Sequence, residues 1–88
     1  MPERIELRVE IFREGEEFVG VCPELNVSSF GSSISETQHS VREALEAFIE
    51  ECDAMGTLPE VLEEAGLVLK DGIWLSRQPV ASELVAIG

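Results

Sequence analysis

From Ile5 to Ile11 the chain alternates apolar and polar residues, with Ile5, Leu7, Val9 and Ile11 on one side and Glu6, Arg8 and Glu10 on the other. A period of two predicts a strand with one buried and one wet face. The stretch 14–17, Glu-Gly-Glu-Glu, supplies a turn, and Phe18–Cys22 continues as a second strand, forming a hairpin with the first. Both faces of this second strand are apolar, as expected of a central position. Pro23 lacks the N–H a ladder needs, so the strand stops there. Asn26, which tolerates a left-handed backbone, turns the corner, and Val27–Phe30 resumes as a third strand closed by Gly31.

After Gly31 the period changes. Val41, Ala44, Leu45, Phe48, Ile49, Cys52 and Met55 recur at three- and four-residue spacing, the stripe of an amphipathic helix that Gly56 ends. Ser33 with Glu36 forms a capping box at its start, and Ser35 with Gln38 is a competing frame. Thr57 and Pro59 open a short second helix that Gly66 stops. Leu67–Lys70 and Ile73–Ser76 flank Asp71-Gly72, a strong signal for a two-residue hairpin turn. Gln78-Pro79 breaks this run, and Val80, Leu84, Val85 and Ile87 form an apolar tail that either adds an edge strand or packs against another subunit.

The predicted architecture is α+β: a two-layer sandwich in which an antiparallel three-stranded sheet is packed by one long helix, in the order β-β-β-α, followed by a short helix and a C-terminal hairpin or strand. With 88 residues, 44% of them hydrophobic, one domain over 1–88 is expected, with a core at 3–56 and an extension at 57–88. The sequence holds no long apolar run and no basic-then-apolar leader, so the expected compartment is the cytoplasm, away from any membrane.

Charge sharpens the picture. Eighteen Asp and Glu face six Lys and Arg, a formal net charge of −12. Nucleic-acid binders cluster cations to neutralise phosphates, whereas Arg4, Arg8, Arg13, Arg42, Lys70 and Arg77 are scattered. Direct nucleic-acid binding is therefore not expected, and a partner, if the charge has one, should be basic. Glu43, Glu46, Glu50, Glu51 and Asp53 occupy the polar faces of the long helix, as a solvated face or a docking face.

Candidate chemistry adds little. Cys22 and Cys52 fall at apolar positions, where a thiol serves as a small hydrophobe, and no Cys or His spacing holds a metal. Metal-nuclease chemistry needs converging carboxylates, but Glu6 and Glu10 lie on the wet face and Glu24 at a corner. Cys22 with His39 lacks an orienting third group. No catalytic residue, cofactor or metal is expected. Phe18 and Phe48 read as core. Trp74, on a hairpin expected to be partly exposed, and Phe30, at a strand end, are candidate interface anchors. With the acidic residues Glu24, Glu43, Glu46 and Glu50 they make up the candidate contact set.

The stretch Gly15–Glu50 resembles the HicB-type antitoxin domain. The resemblance rests on the strand with Phe18, the Pro23-Glu24-Leu25 corner, Asn26-Val27, Gly31, the Ser33 cap with Glu36, and Glu43-Ala44-Leu45, in order and without a gap. It departs at Asn26, where the pattern has glycine, and at Thr37-Gln38, where it has Ala-Leu. The resemblance implies a partial RNase H-like fold serving as a protein-binding module. Its partner would be a small basic HicA-type toxin, an mRNA-cleaving ribonuclease with a catalytic histidine that the antitoxin neutralises. Nothing after Gly66 reads as the DNA-binding domain that many members append, so the form expected here is a short one. The alternative is a solitary HicB-like small dimer with no toxin partner. A homodimer is expected in either case, because an open strand edge beside an apolar tail is a template for association.

Overall fold

The computed structural model describes residues 4–88, so the start of the expected domain and of its core, residues 1–3, lies outside the described residues. The elements run β1 (Arg4–Glu6), β2 (Glu10–Glu14), β3 (Glu17–Cys22), β4 (Val27–Gly31), α1 (Ile34–Ala54), α2 (Leu58–Glu64), β5 (Val68–Lys70) and β6 (Ile73–Leu75). The protein is α+β, with two three-stranded sheets, β2-β3-β4 and β1-β6-β5, one long helix and one short one.

The β2-β3-β4 sheet is an antiparallel meander. A two-residue loop joins β2 to β3, Gly15 at φ 63° being its only residue with positive φ. Asn26 at φ 55° completes the corner between β3 and β4, its N–H donating to the Pro23 carbonyl at 3.3 Å. As the apolar character on both of its faces predicted, β3 is central.

Register assigns the faces. Ile11, Gly20 and Ser29 stand in one row, as do Cys22 and Val27, and Phe18 and Gly31. These rows face α1. Gly20 and Gly31 are buried beneath it: a Cβ on Gly20 would collide with Val41 Cγ2, and one on Gly31 would come within 2.9 Å of Thr37 N and Oγ1. The missing side chains let the helix settle close to the sheet, and Val41 and Thr37, both fully buried, fill the space.

Helix α1 begins at Ser33, whose Oγ accepts from Glu36 N–H at 3.0 Å, so the first of the two capping frames is the one used. The glutamate reaches back one residue further than in a simple capping box: Glu36 Oε1 accepts from Ser32 N–H at 3.0 Å, and Oε2 from Ser32 Oγ at 3.1 Å. Thr37, polar where an apolar residue would be usual, donates its hydroxyl to Ser33 O at 2.8 Å with Phe18 O 3.4 Å away, so burying it leaves no polar atom orphaned. Its partners are part of the same cap and strand that it packs against.

Both helices end in the same backbone motif. Gly56 N–H donates to Asp53 O and Thr57 N–H to Cys52 O; Gly66 N–H donates to Glu63 O and Leu67 N–H to Leu62 O. These are Schellman caps, and in the second the two residues that usually make the accompanying apolar contact, Leu62 and Leu67, are both buried. Thr57 was expected to cap the start of α2, but it makes no side-chain cap bond there. Its Oγ1 donates to Cys52 O at 3.3 Å, reinforcing the end of α1. Met55, the last member of the predicted stripe, stands at the C-cap and is exposed.

The first predicted strand divides. Burial alternates along Ile5–Ile11 as the pattern demanded, but pairing does not follow it: β1 pairs parallel with β6 (Ile5↔Trp74), and β2 pairs antiparallel with β3 (Ile11↔Gly20). One stretch of chain thus belongs to both sheets. The C-terminal hairpin turns at Asp71-Gly72 with both residues at positive φ, as the dipeptide predicts. The core runs continuously from Cys22, Leu25 and the α1 stripe through Leu58, Leu62 and Leu67 to Trp74, with Ile5, Leu7 and Val9 packed against it.

Gly20→Ala is expected to destabilise the protein by about 1–3 kcal/mol, because β-branched Val41 cannot swing aside within a helix. Urea unfolding of Gly20→Ala, Val41→Ala and the double variant checks this: the double variant should be more stable than the sum of the two single losses.

Candidate functional site

The six candidate contact residues do not converge. Glu43, Glu46 and Glu50 follow one another on exposed α1 positions, at the spacing that places them on the ridge opposite the buried stripe of Thr37, Val41, Leu45 and Cys52. His39 joins the ridge through a 3.0 Å contact to Glu43, on the exposed surface. Phe30 lies on the other side of the molecule, on the sheet face away from α1. Glu24 is half-buried at the corner after β3, with its Oε1 3.9 Å from Cys22 Sγ.

Trp74 must be withdrawn from the set. It is only 4% exposed and belongs to the core. Its hairpin was expected to stand free, but β1 pairs along the other side of β6 and makes β6 a central strand. Trp74 therefore sits between Ile5 and Leu69 in its row, clustered with Leu58, Leu62 and Leu67.

The outer face of the β2-β3-β4 sheet is the surface the register brings together. Phe12, Val19 and Phe30 form a row across all three strands, and Glu10, Val21 and Ser28 the row beside it. Phe12 is 54% and Phe30 66% exposed, so two aromatic rings stand in water on either side of a half-buried valine. Glu14 and Glu17 pair at the hairpin end of the same face, and Glu10 lies at its other end. The result is an apolar strip with an acidic rim on one face of an antiparallel sheet. Such a strip offers a partner apolar area at its centre and charge at its margin, the usual division of labour in a protein interface.

Phe12 and its neighbours Val19 and Val21 were missed as site residues. Their signal was present in phase: Phe12 and Phe30 fall out of step with Ile11 and Val27, whose side faces the helix, so both rings had to face outward.

Compared with protein-family models, with curated proteins and with solved structures, the chain matches none. What this surface does must accordingly be argued from its own chemistry.

Among the described residues, no group of three or more His, Cys, Asp and Glu side chains is placed to hold a metal ion. Both cysteines are free and buried. Burial pushes the Cys22 thiol above its ordinary pKa, and the negative charge of Glu24 acts in the same direction, so the reactive thiolate is disfavoured. Among the described residues no helix is long and apolar enough to cross a membrane.

Trp74→Ala is expected to cost about 3–5 kcal/mol, as for a buried aromatic, whereas Phe30→Ala or Phe12→Ala should cost less than about 1 kcal/mol. Denaturant midpoints of the three variants decide between a core and a surface role. A thiol-specific disulfide reagent at neutral pH should leave the native protein unlabelled and react with both cysteines once it is denatured.

Proposed function

We propose that this chain is a protein-binding module of the HicB-like antitoxin kind, which neutralises a small basic HicA-type mRNA-cleaving toxin by direct contact. The reading is one of binding and not of catalysis, and such a role places the protein in the cytoplasm, where mRNA is translated. The observation that carries it is the solvent-facing Phe12–Val19–Phe30 row with Glu10, Glu14 and Glu17 at its margin. An antiparallel sheet face presenting two exposed aromatics suits a protein better than a small molecule, which would need a concave pocket. A net charge of −12 suits a basic protein and disfavours RNA.

Charge and rings divide the work in this reading. The acidic margin steers a cationic toxin and fixes its approach, and the aromatic row supplies the desolvated centre that slows dissociation.

A second reading keeps the fold and drops the toxin: a solitary HicB-like homodimer. The exposed apolar side chains of the C-terminal tail favour a second copy as the partner.

The two readings differ in a direct experiment. A short basic protein encoded beside this chain, purified and mixed with it, should lose its ribonuclease activity at stoichiometric ratio. Phe30→Ala should weaken the complex by about 30-fold, the hot-spot scale, and raising the salt concentration should slow association. Unchanged ribonuclease activity in excess of this chain removes the toxin reading and leaves the dimer.

A further inference from the structure

A groove of about 620 Å³ runs between α1 and the segment that joins the two sheets. Its floor is apolar, made of Ile5, Leu7, Val9, Leu45 and Ile49, and Gln38, Arg42 and Glu46 line it from α1. Beside it lies a smaller hollow of about 240 Å³ bounded by Leu75, Ser76 and Gln78, and the two share Glu6 and Leu7. The hollow is where the C-terminal tail leaves the body of the protein.

The tail itself is anomalous. Val80, Leu84, Val85 and Ile87 are apolar and exposed, Val80 at 107% and Leu84 at 103% of full exposure. The Cα radius of gyration is 14.8 Å, against about 12 Å for a compact domain of this length, as expected when an arm stands clear of the body. The proline holds Gln78 extended, and the chain bends at Val80. With Val80, Leu84 and Ile87 this exposed, the arm does not fill its own groove.

We propose that two copies of this chain exchange their C-terminal arms, each seating Val85 and Ile87 of one copy on the apolar floor of the groove in the other. The arm leaves from the hollow that shares Glu6 and Leu7 with the groove, so in a two-fold pair its root stands close to the groove it would fill in the other copy. Charge agrees: Glu83 is the single charged side chain of Val80–Ile87, and Arg42 of the groove makes no ion pair among the described residues. β1 is an outer strand of its sheet, and its edge away from β6 pairs with no strand among the described residues, so an extended arm has backbone groups to meet as well as side chains. The outer sheet face with Phe12 and Phe30 takes no part, so the exchange stands whether or not a toxin is bound.

Light scattering on the full chain tests it. The wild type should have twice the chain mass, and Val85→Glu with Ile87→Glu should weaken the dimer by about two orders of magnitude with the circular dichroism unchanged, since these side chains are exposed within one copy. Arg42→Glu should weaken it too, and Arg42→Glu combined with Glu83→Arg should restore it. A wild type that stays monomeric at about 100 µM, well above the dissociation constants of ordinary specific dimers, overturns the proposal. So does a dimer that the tail variants leave intact; sensitivity to Phe30→Glu in that case assigns the contact to the outer sheet face.

Discussion

The close approach of α1 to the meander governs this fold. Where Gly20 and Gly31 lack side chains, Val41 and Thr37 come down onto the backbone of β3 and β4. Interiors pack at nearly crystalline density, so this contact fixes the height of the helix over the sheet to within a methyl group. Everything beyond the helix is placed by it: the Schellman turn at Gly56 leads into α2, the second at Gly66 leads into the hairpin, and the hairpin delivers Trp74 to the end of the core. Thr37 shows how tightly the contact constrains chemistry. A hydroxyl is tolerated at zero exposure because the helix cap and β3 already offer carbonyls at the right place.

The same contact gives the sheet its two unlike faces. On the helix side the strands present Ile11, Gly20, Cys22 and Val27, and on the other Phe12, Val19, Val21 and Phe30. One layer of helix can cover only one face of a sheet, so a strand apolar on both sides must leave apolar surface in water. The anionic ridge of α1 lies across the molecule from that surface, so the protein presents two differently built surfaces and the acidic residues do not act as one patch.

Much of this was legible because the signals were local. Ser33 with Glu36, Asn26 after Pro23, Asp71-Gly72 and the α1 stripe each act within a few residues, and each appears in the structure where the pattern put it. The failures were non-local. Alternation along Ile5–Ile11 reports which side chains are buried and says nothing of which strand supplies the hydrogen bonds, so the switch of partner from β6 to β3 was invisible. Trp74 was misplaced for the same reason, since its burial depends on a strand near the other end of the chain. Thr57 was misread because a threonine between two helices can serve either one, and only backbone geometry decides which. Phe12 was overlooked although its phase was readable, because its value as a surface residue depends on aligning it with Phe30 through the register of β3.

The parallel pairing of β1 with β6 reaches beyond architecture. Arg4 lies beside Ile73, so the first described strand has no hydrogen-bonded neighbour until β6, about 70 residues later, has been made. During synthesis the meander and α1, whose contacts are short in sequence, can assemble as they emerge from the ribosome, while the leading strand waits. Ile5, Leu7 and Val9 remain without their full packing for that interval. The arginines and glutamates alternating with them then act as a built-in guard, keeping a nascent apolar end soluble until the last hairpin arrives to cover it.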